Sequence, residues 1–199
     1  VATVEHLLAA LAGCGVSHCE IAVQGSEIPL LDGSALGWVE AIAEAGLRPA
    51  ASERPSAPQL EQPLVRHRGS SVITATPSDR FSLVGIIDFP QAAIGRQQLA
   101  LELTPQRFVD EIAPARTFGF RDQVEQLRAA GLIQGGALDN ALVCDGDQWM
   151  NPPLRFADEP VRHKLLDLIG DLALVGFPQA QVLVYRGSHG LHTDLAAAL

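Results

Sequence analysis

The stretch "VRHKLLDLIGD", Val161 to Asp171, decides how this 199-residue chain is read. Leu165, Leu166, Leu168 and Ile169 give it the apolar content of a helix packed in a core. His163, Asp167 and Asp171 recur within it at every fourth residue. On a helix a step of four turns the side chain by only about 40°, so the three polar groups form one stripe. Such a stripe is either a solvated face or a set of metal ligands, and the helix alone leaves both open.

Composition bounds the rest. Hydrophobic residues make up 47% of the chain, ample for a packed core. The formal net charge of -9 speaks against a general nucleic-acid binder, because neutralising phosphates takes a basic face. There is no apolar run of about twenty residues, so no transmembrane segment is expected. No signal-peptide pattern opens the chain, and the cytoplasm is the expected compartment. Cys14, Cys19 and Cys144 form no CxxC pair and read as free thiols in a reducing environment. The first residues, "VATVEH", lack Met and run straight into helical sequence, which reads as a fragment or a processed product. The oligomeric state is unknown at this level.

Outward from the stripe, Val4 to Leu11 is helical in pattern, "CEIAVQG" (19–25) reads as a strand, and Ser34 caps a helix from Ala35 to about Ala45. The Pro-, Ala- and Ser-rich run within Pro49–Pro63 has no sustained period and reads as a linker, placed at 51–63. "SSVITATP" (70–77) and "FSLVGIIDF" (81–89) are strand-like, and Thr104 to Ala113 is helical in pattern. An amphipathic helix around "DQVEQLRAAGL" and a strand "NALVCD" follow. After the Val161–Asp171 helix come a strand "AQVLVYRG" and a helix from about His192. Strands and helices mix without a regular βαβ rhythm, which favours a two-layer α+β fold over a doubly wound sheet.

His163 and Asp167 can ligate one ion from consecutive helical turns. A third ligand must come from elsewhere, and His6 is the attractive candidate, with Glu5 beside it as a carboxylate able to take a proton from water. Both also suit a solvated first turn. His189, in a loop after a strand, can serve as a general acid, and Asp171 can hold an imidazole in its charged form. Each also reads as an ordinary exposed group, as do His18, His67 and His192.

The stretches "TVEHLLAALAG", "EIPLLDGSA", "ARTFGF", "GGALDNALV", "LRFADEPVRHKLLDLIGDLAL" and "GSHGL" occur in one order over nearly the whole chain. In this the chain resembles the zinc-dependent UDP-3-O-acyl-N-acetylglucosamine deacetylases of lipid A biosynthesis, the LpxC family. The resemblance implies His6, His163 and Asp167 as zinc ligands, with Fe2+ as a possible substitute. It implies Glu5 as general base, His189 as general acid tuned by Asp171, and Thr117 as the hydroxyl that steadies the oxyanion. Lys164 and Arg186 match cations near the UDP-linked acylated glucosamine substrate, Phe89 resembles a uridine-stacking aromatic, and Phe118 adjoins the "RTF" threonine. An insert at about 119–151 is implied to form an acyl-chain tunnel, with Val124, Leu127, Ile133, Ala137, Ala141 and Val143 on its wall. The implied architecture is two sheet-plus-helix domains with the active site between them: residues 1–50 as the C-terminal part of the first, and 64–199 as the second.

Three departures from the family pattern stand out. The strands that precede "TVEH" in the family, with a "GLHTG" stretch, are not in this sequence, so the first domain is expected to be incomplete. The closing motif is "GSHGLH" in place of "SGHALN", and the local length near Phe89 differs. Two other functions fit parts of the pattern. Two His and one carboxylate also suit a non-haem iron oxygenase, and a non-catalytic homologue could bind nucleotide-sugar or acyl chains without turnover.

Overall fold

The computed structural model describes residues 1–50, 57–122 and 140–199. Its elements are helix α1 (Glu5–Gly13), α2 (Leu36–Ala45), strands β1 (Leu64–Arg68), β2 (Ser71–Pro77), β3 (Ser82–Asp88) and β4 (Arg96–Glu102). A short helix α3 (Pro105–Arg107) continues as a π-turn (Phe108–Ile112). Then come β5 (Phe118–Phe120), β6 (Leu142–Asp145), β7 (Gln148–Trp149), α4 (Glu159–Leu172), β8 (Ala180–Tyr185) and α5 (His189–Ala196). Among the described residues no helix is long and apolar enough to cross a membrane.

The fold is α+β with two mixed sheets. The larger has the order β1-β2-β8-β3-β4, with β3 and β8 parallel and the other pairs antiparallel. The smaller has the order β5-β6-β7, with β5 parallel to β6. Alternation puts Ile73, Ala75, Leu83, Val182 and Val184 on one face of the larger sheet, where they meet α4 and α5. Helix α4 is buried around most of its circumference because the sheet lies on one side and α1 on the other.

The crossing of α1 over α4 is unusually close, for a reason written in both sequences. Ala9 and Ala10 of α1 are fully buried and small. Position 170 of α4 is glycine, and a Cβ there would fall on the Glu5 carbonyl oxygen and lie 2.9 Å from its Cα. The backbone of the first turn of α1 therefore rests directly on α4, one residue before His6.

Several sequence expectations change. Residues 19–25 form no strand: among the described residues no strand pairs with them, and an isolated bridge, Ala2 to Glu27, forms nearby. A β-branched pattern makes a strand only where a partner completes the ladder. Strands β1 and β4 escape the pattern for the opposite reason. They are the sheet edges, and "LVRHR" and "RQQLALE" carry the charged and amide side chains that protect an edge. The final helix begins at His189, not His192, because the Ser188 hydroxyl accepts from the Leu191 N–H and caps it there.

Gly170→Ala is expected to cost at least about 2 kcal/mol, since the added methyl has only backbone to displace. For a chain of this size that is a fall of about 4–8 °C in Tm, and an unchanged thermal midpoint would contradict the close crossing.

Candidate metal centre

The α1–α4 crossing brings three predicted ligands together. His6 on α1 and His163 and Asp167 on α4 are all buried, and one donor atom from each lies within 4.8 Å of the others. Asp167 Oδ1 is 3.3 Å from His163 Nε2 and 3.8 Å from His6 Nε2. Donors around one tetrahedral ion with bonds of about 2.0–2.1 Å stand roughly 3.3 Å apart, so this spacing fits a shared cation. The other Asp167 oxygen accepts from Lys164 Nζ at 2.6 Å.

His6 and Asp167 are held in their ligating forms. Burial, and then the adjacent His163, pull the His6 pKa down to about 4, so its ring is neutral with a lone pair to give. Burial works to raise the Asp167 carboxyl, but Lys164 and then His163 outweigh it and hold it well below the ordinary range. His163 Nδ1 lies 3.0 Å from the Ala115 carbonyl, which can only accept, so Nδ1 carries a proton and Nε2 is the nitrogen turned toward Asp167 and His6.

The segment that supplies this carbonyl is itself tied down. Glu159, fully buried, accepts from the Arg116 backbone N–H, the Arg116 side chain and the Arg155 N–H. Arg155 reaches on to the Pro114 carbonyl and to Asp32. The sequence reading missed Ala115, Glu159 and Arg155; a backbone carbonyl has no sequence signature. The buried acid between arginines is visible only as unassigned charge in "LRFADEP".

One turn along the stripe, Asp171 Oδ2 lies 2.8 Å from His189 Nδ1 and also 2.8 Å from His192 Nδ1. A carboxylate only accepts, so both rings present Nδ1–H to it. The Asp171 hydrogen bond raises the His189 pKa above its usual value. Burial opposes ionisation of Asp171, but hydrogen bonds from His189 and His192 carry its pKa below the ordinary value. Arg186, between β8 and this pair, has φ 52°, a left-handed turn that swings the chain from the strand into α5. Sequence pattern alone makes His192 an exposed group, whereas it is fully buried. On a helix that starts at 189, the i,i+3 spacing puts it on the same side as His189.

A cleft of about 320 Å³ opens beside the centre, bounded by Asp88, Phe89, Lys164, Arg186 and Gly187 among others. Arg186 donates to Asp88 Oδ2 at 2.9 Å. Phe89 is half-buried and packs edge-on to Phe118, 5.5 Å between centroids, and Phe118 in turn lies 6.5 Å from the His163 ring. Thr117, just before Phe118, donates its N–H to the Gly33 carbonyl. Glu5 opens α1 and is half-buried. Val143 is buried and Ala141 half-buried, while Val124, Leu127, Ile133 and Ala137 lie outside the described residues. A larger hollow of about 1000 Å³, between α1 and the chain after α2, includes none of the ligand or dyad residues.

The whole chain, residues 1–199, matches the family described as UDP-3-O-acyl N-acetylglycosamine deacetylase, LpxC. It is 54% identical over 200 residues to the UDP-3-O-acyl-N-acetylglucosamine deacetylase of Thermosynechococcus vestitus, a match that covers all of this chain and 69% of that protein. It is 52% identical to the enzyme of the same name from Trichormus variabilis, over 98% of this chain and 72% of that protein. A relative from Arabidopsis thaliana, named a probable mitochondrial deacetylase of this kind, is 42% identical over all of this chain and 68% of its own length.

Removal of one ligand is expected to matter more than loss of an outer partner, which typically costs 10- to 100-fold in metal affinity. His163→Ala should therefore lower affinity for a divalent metal by at least about 100-fold. Metal content after desalting checks this; a variant that retains one tightly held ion would contradict the ligand assignment.

Proposed function

The chain belongs to the UDP-3-O-acyl N-acetylglycosamine deacetylase family, and from that membership we propose that it hydrolyses the acetamide of a UDP-linked, 3-O-acylated N-acetylglucosamine. Acetate and the free amine are the products, in lipid A biosynthesis. The observation that carries this reading is the convergence of His6, His163 and Asp167 beside the hydrogen-bonded Asp171–His189 pair.

His6, His163 and Asp167 would hold zinc, with Fe(II) as the alternative that the same donors accept. Bound there, the metal would polarise the amide carbonyl and make a water molecule more acidic. Glu5, next to His6 on the first turn of α1, takes the proton of the attacking water. His189 Nε2 delivers a proton to the departing nitrogen; Asp171 favours the protonated ring and orients it by Nδ1. Thr117 offers its hydroxyl to the oxyanion as charge develops.

Substrate binding falls to the neighbouring surfaces. Lys164 and Arg186 supply positive charge for the diphosphate, and Phe89 an aromatic face for the uracil. The acyl chain is assigned to the walls carried by Phe118, Ala141 and Val143, continued by Val124, Leu127, Ile133 and Ala137. In this reading residues 1–50 belong to one domain and 64–199 to a second, joined by 51–63, with the site between them. The proposed compartment is the cytoplasm, where free thiols such as Cys14, Cys19 and Cys144 stay reduced.

Acetate release from the UDP-sugar by the metal-loaded protein tests the function directly. Glu5→Ala should keep its metal and lose a factor of about 10²–10⁴ in kcat; a near-normal rate would remove Glu5 as base. Asp171→Asn should move the alkaline limb of the rate profile to lower pH. The carboxylate raises the His189 pKa, so without it the acid form is lost earlier as pH rises. An unmoved limb would separate Asp171 from the proton donor.

A further inference from the structure

One polar group of this region has no part in the reaction as described. His192 is fully buried, donates Nδ1–H to Asp171 Oδ2, and its Nε2 has no hydrogen-bond partner among the described residues. Its seat is shaped for it: a Cβ at Gly187 would lie 2.5 Å from His192 Nε2 and 2.9 Å from Val184 Cγ2. The His189 and His192 rings stand 79° apart with centroids 6.2 Å from each other, and both address the same carboxylate oxygen.

We propose that His192 is a positioning residue for the proton donor: it anchors Asp171 Oδ2 from the buried side and shares that oxygen with His189. The inference rests on the reading of His189 as general acid. Two consequences follow from the shared oxygen. Asp171 has one defined orientation, so His189 is held by Nδ1 with Nε2 left for substrate. The carboxylate also divides its accepting power between two donors, so it grips the His189 proton less firmly than a carboxylate with one partner would.

Asp171, Asp167 and Lys164 from α4 and His6 from α1 act electrostatically on His189, and the His192 ring of its own helix faces it with centroids 6.2 Å apart. Of these, His192 can be changed without removing a ligand, the acid or its direct carboxylate partner.

The test follows the His189 ring nitrogens by NMR titration in the full-length protein, metal-free and metal-loaded, beside kcat and KM across pH. His192→Leu removes the donor and is expected to raise the His189 midpoint and move the alkaline limb upward. It should also lower kcat roughly tenfold, a part of what a general acid contributes, with KM within about twofold. His192→Asn, whose amide N–H falls near the place of Nδ1, should return the midpoint and kcat to within about twofold of the parent. His192→Gln, polar but with its N–H displaced, replaces the Leu variant if that one fails to fold. An unmoved or lowered midpoint without the donor, or an Asn variant as impaired as the Leu one, overturns the proposal. Normal turnover in His189→Ala would overturn the proposed acid but not the shared oxygen, which the His189 midpoint decides by itself.

Discussion

The absence of a side chain at position 170 is the constraint on which the site depends. Helix α4 can place His163 and Asp167 on one face by itself, but two side chains four residues apart make at most an edge of a metal site. The third donor is on α1, and it reaches them because the Glu5 backbone lies against Gly170 with no Cβ between. That contact also places Glu5 at the start of α1, so ligand and proposed base arrive together on one turn. The small buried residues Ala9 and Ala10 extend the close crossing along the rest of α1.

Charge is arranged along α4 with similar economy. Asp167 and Asp171 sit one turn apart on the same stripe, yet their neighbours give them different work. Asp167 faces two imidazole nitrogens with one oxygen and Lys164 with the other, which suits an anionic ligand whose burial is compensated. Asp171 faces two N–H donors with a single oxygen, which suits an orienting group for a proton donor. Further out, Glu159 holds Arg116 and Arg155, and through them the backbone that presents the Ala115 carbonyl to His163. The His163 ring is thus oriented by an ion network of the protein itself.

The sequence made one part of this readable and hid another. The four-residue spacing of His163, Asp167 and Asp171 is a local property of a helix and could be read from order alone. His6 could not be joined to them by spacing, since its place depends on the crossing of two helices far apart in the chain; the residues make it a candidate, and the family resemblance implies it as a ligand. The Ala115 carbonyl was invisible because any residue carries one. The place of His192 is hidden in the sequence because the pattern starts its helix three residues late, which breaks the i,i+3 relation to His189. In the fold, α4, β2, β3 and β8 followed their apolar patterns, whereas β1 and β4 were masked by the polar residues of sheet edges. The "CEIAVQG" segment is the reverse case, a strand-like pattern with no strand paired to it among the described residues.

In the proposed site α1 and α4 together would hold a single zinc through two imidazoles and one carboxylate. X-ray absorption at the zinc edge of the loaded protein tests it most directly. Only nitrogen and oxygen neighbours at about 2.0–2.2 Å are expected, with the multiple-scattering signature of two imidazole rings. A sulfur shell at about 2.3 Å, or the signature of a single imidazole, would contradict it.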